Sequence, residues 1–263
     1  MIGVITGREH GNNVQFESES ELLAFAKKLE GRRFSEISTS IGLLDESHRK
    51  HTKGVAAKVI ETEYFGIPVN SSELPDFQTL GIELKVSPLR YVDRVDLYTT
   101  KERNVIKMVD YNEISSNLHW TQNKISTKLN RVLYILYLHD NSVNAWDWKV
   151  VKTFLWSPSP MQEENIQNDY TIMRSKVLAG ENLREGDHSF FATCPKHGGG
   201  YKKEDPISSP RSALAVHPTM QFAEKRGYCI KREAFIGLIA ESINAPLEKR
   251  GRTVGISGKF LSL

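Results

Sequence analysis

The chain has 263 residues, 39% of them hydrophobic, with 35 Lys and Arg against 32 Asp and Glu for a net charge of +3. A chain of this length buries roughly 70–75% of its unfolded surface, so it needs neither disulfides nor a structural metal to fold, and its composition is that of a soluble globular protein. Taken whole, the small net charge argues against a dedicated nucleic-acid binder. Cys194 and Cys229 fit no Cys-x-x-Cys or Cys/His ligand spacing, which argues against a disulfide scaffold and a zinc finger. The longest apolar run, Val132 to Leu138, is too short to span a membrane. The expectation is a soluble protein of a reducing compartment, the cytoplasm.

Ser18-Glu19-Ser20-Glu21 is a capping box and opens a helix carrying Leu22, Phe25, Ala26 and Leu29 inward until Gly31. A short helix follows at about Ser35 to Ile41, and a third runs from Gly54 to Phe65 with Val55, Val59, Ile60 and Tyr64 inward. The period then changes. Ile82, Leu84 and Val86 alternate with Glu83, Lys85 and Ser87, the pattern of a half-buried strand. Val105 to Tyr111, Arg131 to His139 and Trp148 to Trp156 read as further strands. After Pro160 the spacing of Ile166, Tyr170, Met173 and Val177 is helical. Ser189 to Thr193 reads as strand, a Gly- and Lys-rich loop runs to Pro210, and a last helix at Arg232 to Ile243 precedes a polar tail. No repeat or long linker interrupts the plan. It is one α/β domain with a mixed central sheet flanked by helices, and with a smaller N-terminal lobe.

The segment Leu74 to Lys85 holds the chemistry. Period two puts Glu83 and Lys85 on one face of a strand, opposite Ile82, Leu84 and Val86, and Asp76 at the entering turn can bring a second carboxylate to the same place. Two carboxylates around a hard cation, with a lysine beside them, are what phosphodiester hydrolysis needs: the cation neutralises charge on the phosphate and acidifies bound water. The alternative is an ordinary solvated Glu–Lys pair. The helix before the strand supplies a further carboxylate, Glu61, beside the buried-looking Val59 and Ile60, whereas Glu63 reads as the solvated charge. No histidine stands at metal-ligand spacing, His48, His51, His188 and His197 included. Trp120, Trp146, Trp148 and Trp156 read as core and sheet-edge packing.

In these residues and several further motifs the sequence resembles the MutH family of restriction-endonuclease-like nucleases (the PD-(D/E)xK group), which includes the Sau-type enzymes that cut at GATC. The resemblance rests on Glu21-Leu22-Leu23 through Gly42-Leu43, on Lys53-Gly54 with Glu61, and on Pro75-Asp76 with Gly81 to Lys85. It continues through Lys128-Leu129 with Arg131 to Leu133, Trp156-Ser157-Pro158, Pro195-Lys196, and Arg226-Gly227-Tyr228 leading to Lys231, over roughly residues 18–245. It implies a restriction-endonuclease-like fold whose two small lobes flank a DNA-binding cleft, with a catalytic part at about 18–160 and a DNA-reading part at about 161–245. It further implies Asp76 and Glu83 as ligands of Mg²⁺, Lys85 as the catalytic lysine, Glu61 as an accessory acid, and Lys128 as a lysine near the scissile phosphate. A surface lysine at a helix end is the alternative for Lys128. Lys196, Tyr201, Arg226, Tyr228 and Lys231 are the implied DNA contacts. Cys194 and Cys229 depart from the family, standing where an arginine and an aromatic or other hydrophobic residue are expected.

The function implied is Mg²⁺-dependent cleavage of double-stranded DNA at a short palindrome, with GATC expected and 5′-phosphate ends. Type II restriction is the first reading, because Thr100 to Arg103 and Asp110 to Ile114 are more like that branch. A mismatch-repair nicking endonuclease is the second, and a catalytically silent DNA-binding or effector module is a reading from another class. The chain is short for a second copy of the domain, so a double-strand break requires a homodimer on DNA or two successive nicks. A nearby DNA methyltransferase is the partner expected of a restriction enzyme, and a mismatch-repair ATPase that of a nickase. The charge is uneven in a way that suits this reading: residues 190–263 hold 12 Lys and Arg against 6 Asp and Glu, which fits phosphate contacts by the C-terminal third.

Overall fold

A computed structural model describes residues 15–38, 54–68, 72–116, 120–197 and 199–263. The expectations placed on Thr39 to Leu43, His48, His51 and Lys53 lie outside the described residues. In chain order the strands are β1 (Glu83–Val92), β2 (Leu97–Thr100), β3 (Asn104–Met108), β4 (Val132–Leu138), β5 (Val150–Trp156), β6 (Phe191–Pro195), β7 (Leu214–Val216), β8 (Phe222–Glu224), β9 (Arg226–Ile230), β10 (Glu248–Arg250) and β11 (Thr253–Gly255). The α-helices are α1 (Glu19–Lys27), α2 (Phe34–Ile37), α3 (Val55–Ala57), α4 (Tyr111–Ser115), α5 (Lys124–Asn130), α6 (Pro160–Leu178) and α7 (Arg232–Ser242). The fold is mixed α/β, of the restriction-endonuclease-like type. No helix among the described residues is long and apolar enough to cross a membrane.

The chain divides into two compact units, Met1–Glu102 with Arg131–Trp156 and Ile236–Leu263, and Arg103–Asn130 with Ser157–Phe235. The first is built on a mixed sheet in the order β2-β1-β4-β5. β1 runs parallel to β4, with Glu83 opposite Val132 and Lys85 opposite Tyr134, and both outer pairings are antiparallel. Val132 to Tyr137 are all buried, the mark of a central strand covered on both faces. Against this sheet pack α1, α2 and the helix after Gly54, joining Leu22, Phe34, Ile60, Tyr64, Leu133 and Ile135 in one core. The Ser18 cap of α1 forms, Ser18 Oγ accepting from the Glu21 amide at 3.2 Å, but Glu21 Oε2 accepts from the Glu17 amide at 2.8 Å, one residue before the position a capping box uses.

The second unit holds the antiparallel sheet β3-β9-β6 and the hairpin β7-β8. The buried Asp169 of α6 fixes the entry to β6, its carboxylate accepting from the amides of Ser189, Phe190 and Phe191 at 2.8–2.9 Å. Trp120 packs edge-on to Phe191, and Phe191 stacks on Tyr228 at 5.4 Å.

Several elements differ from the sequence reading for identifiable reasons. The helix from Gly54 is α-helical for only three residues and continues as a π-helix over Lys58–Tyr64. The strand expected to run to Tyr111 stops at Met108, because Asp110 accepts from the amides of Asn112 and Glu113 and starts α4 instead. β1 extends to Val92 and turns back into β2 through Asp96, held at φ 48°. The polar tail is a hairpin, β10-β11, turning on Gly251 at φ 62°. Trimming the centre of the sheet measures its weight: Ile135→Ala should cost about 2–5 kcal/mol, read as a lower urea midpoint at unchanged m-value.

Candidate active site

The turn before β1 assembles the first pair of carboxylates. Phe77 and Ile82 exchange backbone hydrogen bonds of 2.9 and 3.2 Å across a tight loop that Gly81 enters at φ 66°. The loop folds Asp76 back beside the strand, and its Oδ2 accepts the Leu84 amide at 2.9 Å. Two residues along the same strand face, Lys85 Nζ donates to Glu83 Oε1 at 2.6 Å. The alternative of a solvated Glu–Lys pair is excluded by burial, for the Glu83 side chain is 3% exposed and that of Lys85 20%. Burying a carboxylate at a strand start is costly unless a cation answers it, which Lys85 does. A shallow pocket lined by Gln15, Phe16, Asp76, Gln78 and Leu80 opens beside the turn.

Glu61 joins this group from the π-helix. Its carboxyl is held above the ordinary value of 4.5, first by burial, against the pull of the Lys85 ammonium, and further by the charges of Asp76 and Glu83. Three carboxylates and one ammonium therefore share a field. Glu63 corrects the sequence reading: it is buried, accepts from Ser38 Oγ and sits 3.7 Å from Lys58 Nζ, rather than standing in solvent. Its spacing held the signal, since Glu63 follows Val59 by four and Ile60 by three, the positions of the buried face.

Among the described residues no three His, Cys, Asp or Glu side chains converge as a complete metal-ligand set. A pair of carboxylates still fits a hard cation of the Mg²⁺ kind, which keeps several waters and is commonly bound through one or two carboxylates plus substrate phosphates. The donor set is all oxygen, with no soft ligand among Asp76, Glu83 and Glu61.

Lys128 lies near the end of α5 in the second unit and is buried, not a solvated lysine at a helix end. The residues expected to meet DNA divide sharply. Lys196 is exposed just after β6, and Tyr201 is half-buried. Tyr228 is wholly buried against Phe191, so its ring has no face to offer a base. Arg226 is buried and spends its guanidinium on Thr193 Oγ1 at 2.8 Å, the Thr193 carbonyl at 2.7 Å and Glu224. Lys231 donates to the His188 carbonyl at 3.0 Å. Apolar neighbours explain the inward turn: Gly227, Tyr228, Cys229 and Ile230 form the buried middle strand of the sheet.

Cys194 and Cys229 are free thiols that touch across β6 and β9 in a small buried cluster with Ala192. The Cys229 thiol donates to Cys194, lowering Cys194 to about 7 and raising its own value. His188 is buried, and burial lowers its pKa. His197 is also inside, bonded through Nε2 to Glu224 Oε1 at 2.9 Å. Glu224 was not singled out by the sequence reading. Its spacing of two from Arg226 resembles that of Glu83 and Lys85, which is the signal available for it.

The family model described as DNA mismatch repair enzyme MutH matches residues 65–169, a stretch holding Asp76, Glu83, Lys85 and Lys128 but not Glu61. The DNA mismatch repair protein MutH of Escherichia coli K12 is 28% identical over 226 residues, covering 85% of this chain and 93% of its own length. The proteins of that name from Vibrio campbellii and Pasteurella multocida are 26% and 29% identical over 165 and 167 residues, each covering 63% of this chain and 70% and 71% of their own.

The Glu61 environment has a measurable consequence. A raised carboxyl pKa means that the folded protein holds this proton more tightly than the unfolded chain, so stability is lost as pH rises past 4.5 and through the folded value. In metal-free buffer Glu61→Gln should therefore be more stable than wild type at pH 7, with the gain vanishing as pH falls below 4.5, as followed by thermal unfolding across pH.

Proposed function

We propose that the chain is a MutH-type endonuclease acting in the manner of the mismatch-repair enzymes, nicking duplex DNA at GATC. The named relatives are mismatch-repair proteins, which favours this reading over type II restriction. The observation that carries the catalytic assignment is the buried Glu83–Lys85 pair, with Asp76 tied to the next amide of the same strand. On this reading the whole chain acts as one endonuclease domain in the cytoplasm, and a double-strand break would need a homodimer or two turnovers.

Asp76 and Glu83 would hold the divalent cation, read here as Mg²⁺, which when bound supplies Lewis-acid stabilisation of phosphate charge and acidifies water. Asp76 is kept rigid for that task by its bond to the Leu84 amide. Lys85, a three-proton donor, orients the attacking water or donates to a non-bridging phosphate oxygen, where charge grows as the new P–O bond forms. Glu61, reaching the same group from its helix, is assigned to accept the proton of that water. Lys128 is assigned to the phosphate as a further cation, and Lys196 with Tyr201 to the DNA. Arg226 and Tyr228 on β9, and Lys231 just after it, act from behind as supports of that strand.

A supercoiled plasmid bearing GATC sites, incubated with Mg²⁺, tests the reading. Wild type should yield nicked circles, more of them with a mismatch-repair ATPase present and fewer when the sites are adenine-methylated. Lys85→Ala should slow nicking by roughly 10²–10³-fold, and Asp76→Ala should abolish it. Linear fragments from the protein alone would instead favour restriction and a partner methyltransferase. No cleavage by wild type would leave a silent DNA-binding module, and cleavage surviving Asp76→Ala would overturn the site.

A further inference from the structure

We propose that Glu224 is a positioning residue for the loop after β6, holding Lys196 and Tyr201 where they meet DNA. The inference rests on the DNA-nicking reading above and adds to it the residue that sets the loop.

Glu224 ends β8, and its side chain is 13% exposed. Its two oxygens serve two partners. Oε1 accepts from His197 Nε2 at 2.9 Å, and Oε2 accepts from the Arg226 guanidinium. The imidazole is fixed at both ends, because His197 Nδ1 accepts the Gly199 amide at 3.2 Å. That arrangement puts the ring proton on Nε2, facing the carboxylate. Arg226 in turn grips Thr193 on β6 through two bonds, so one carboxylate links the strand before the loop with the first residues of the loop. The Lys196 amide donates to the Lys225 carbonyl at 2.9 Å, and the Tyr111 hydroxyl donates to the Glu224 carbonyl at 2.7 Å, pinning the backbone on either side. Tyr201 packs with its ring 6.2 Å from that of His197.

The loop needs such an anchor. Gly199 and Gly200 both have positive φ, at 102° and 86°, so the sequence gives the backbone there wide freedom. With Arg226 and His197 both nearly buried, alanine at 224 leaves the guanidinium charge unanswered and the ring N–H without its acceptor, while glutamine removes the charge and can accept from only one of the two.

Two readouts test this, one of which needs no DNA. Lys196, Lys202 and Lys203 are trypsin sites in or beside the loop. Glu224→Ala, and Glu224→Gln as the variant that keeps shape if alanine does not fold, should raise the rate of tryptic cleavage at these lysines about tenfold in otherwise folded protein. On GATC plasmid the same variants should raise KM about tenfold with kcat changed less than about twofold. His197→Gln, whose side-chain amide can still donate to Glu224, should retain wild-type protection. Loop cleavage at the wild-type rate in both Glu224 variants overturns the proposal, as does a loosened loop with unchanged KM. Wild type that does not nick at all sinks the nuclease reading instead, and the protease arm still decides whether Glu224 anchors the loop.

Discussion

The parallel pairing of β1 with β4 is the constraint on which the proposed catalytic arrangement depends. It buries the start of β1, so Glu83 emerges into a dry environment and must be answered by a cation two residues along the same face. The Phe77–Ile82 turn then closes against that strand and delivers Asp76 to the Leu84 amide. Neither acid could be crowded this way on a mobile loop, where like charges would move apart. The burial of β4 between neighbours on both sides supplies the rigidity that holds them.

The second unit uses carboxylates differently. Asp169 gathers three consecutive amides at the start of β6, and Glu224 joins an arginine to a histidine beyond its end. Both are nearly buried acids whose work is to fix backbone. The contrast explains why acidic residues alone are a poor guide to chemistry. What separates the first group is mutual proximity: the charges of Asp76 and Glu83 add to the cost of ionising the buried Glu61, and Lys85 offsets it.

Much of the fold was legible because its signals are local. The capping box at Ser18, the alternation through Ile82 to Ser87 and the apolar run of β4 each specify an element within a few residues. The strand of the proposed site could be read because period two alone places Glu83 beside Lys85. The set expected to meet DNA was less legible. Arg226, Tyr228 and Lys231 are polar or amphipathic by type, yet strand β9 is the middle of its sheet, a fact set by partners from distant parts of the chain. The pairing of His197 with Glu224 spans 27 residues and leaves no periodic trace.

The π-helix of Lys58–Tyr64 ties the identity of the acidic face to a count of residues rather than to their kinds. A π-turn carries one residue more than the α-turn it replaces, and each residue of an α-helix advances about 100° around the axis. A single-codon deletion at Thr62 would therefore leave every residue type of the proposed site in the gene while swinging Glu63 and Tyr64 about the helix relative to Glu61. Insertion and deletion, more than substitution, are the changes by which descendants of this sequence could trade one carboxylate for the other.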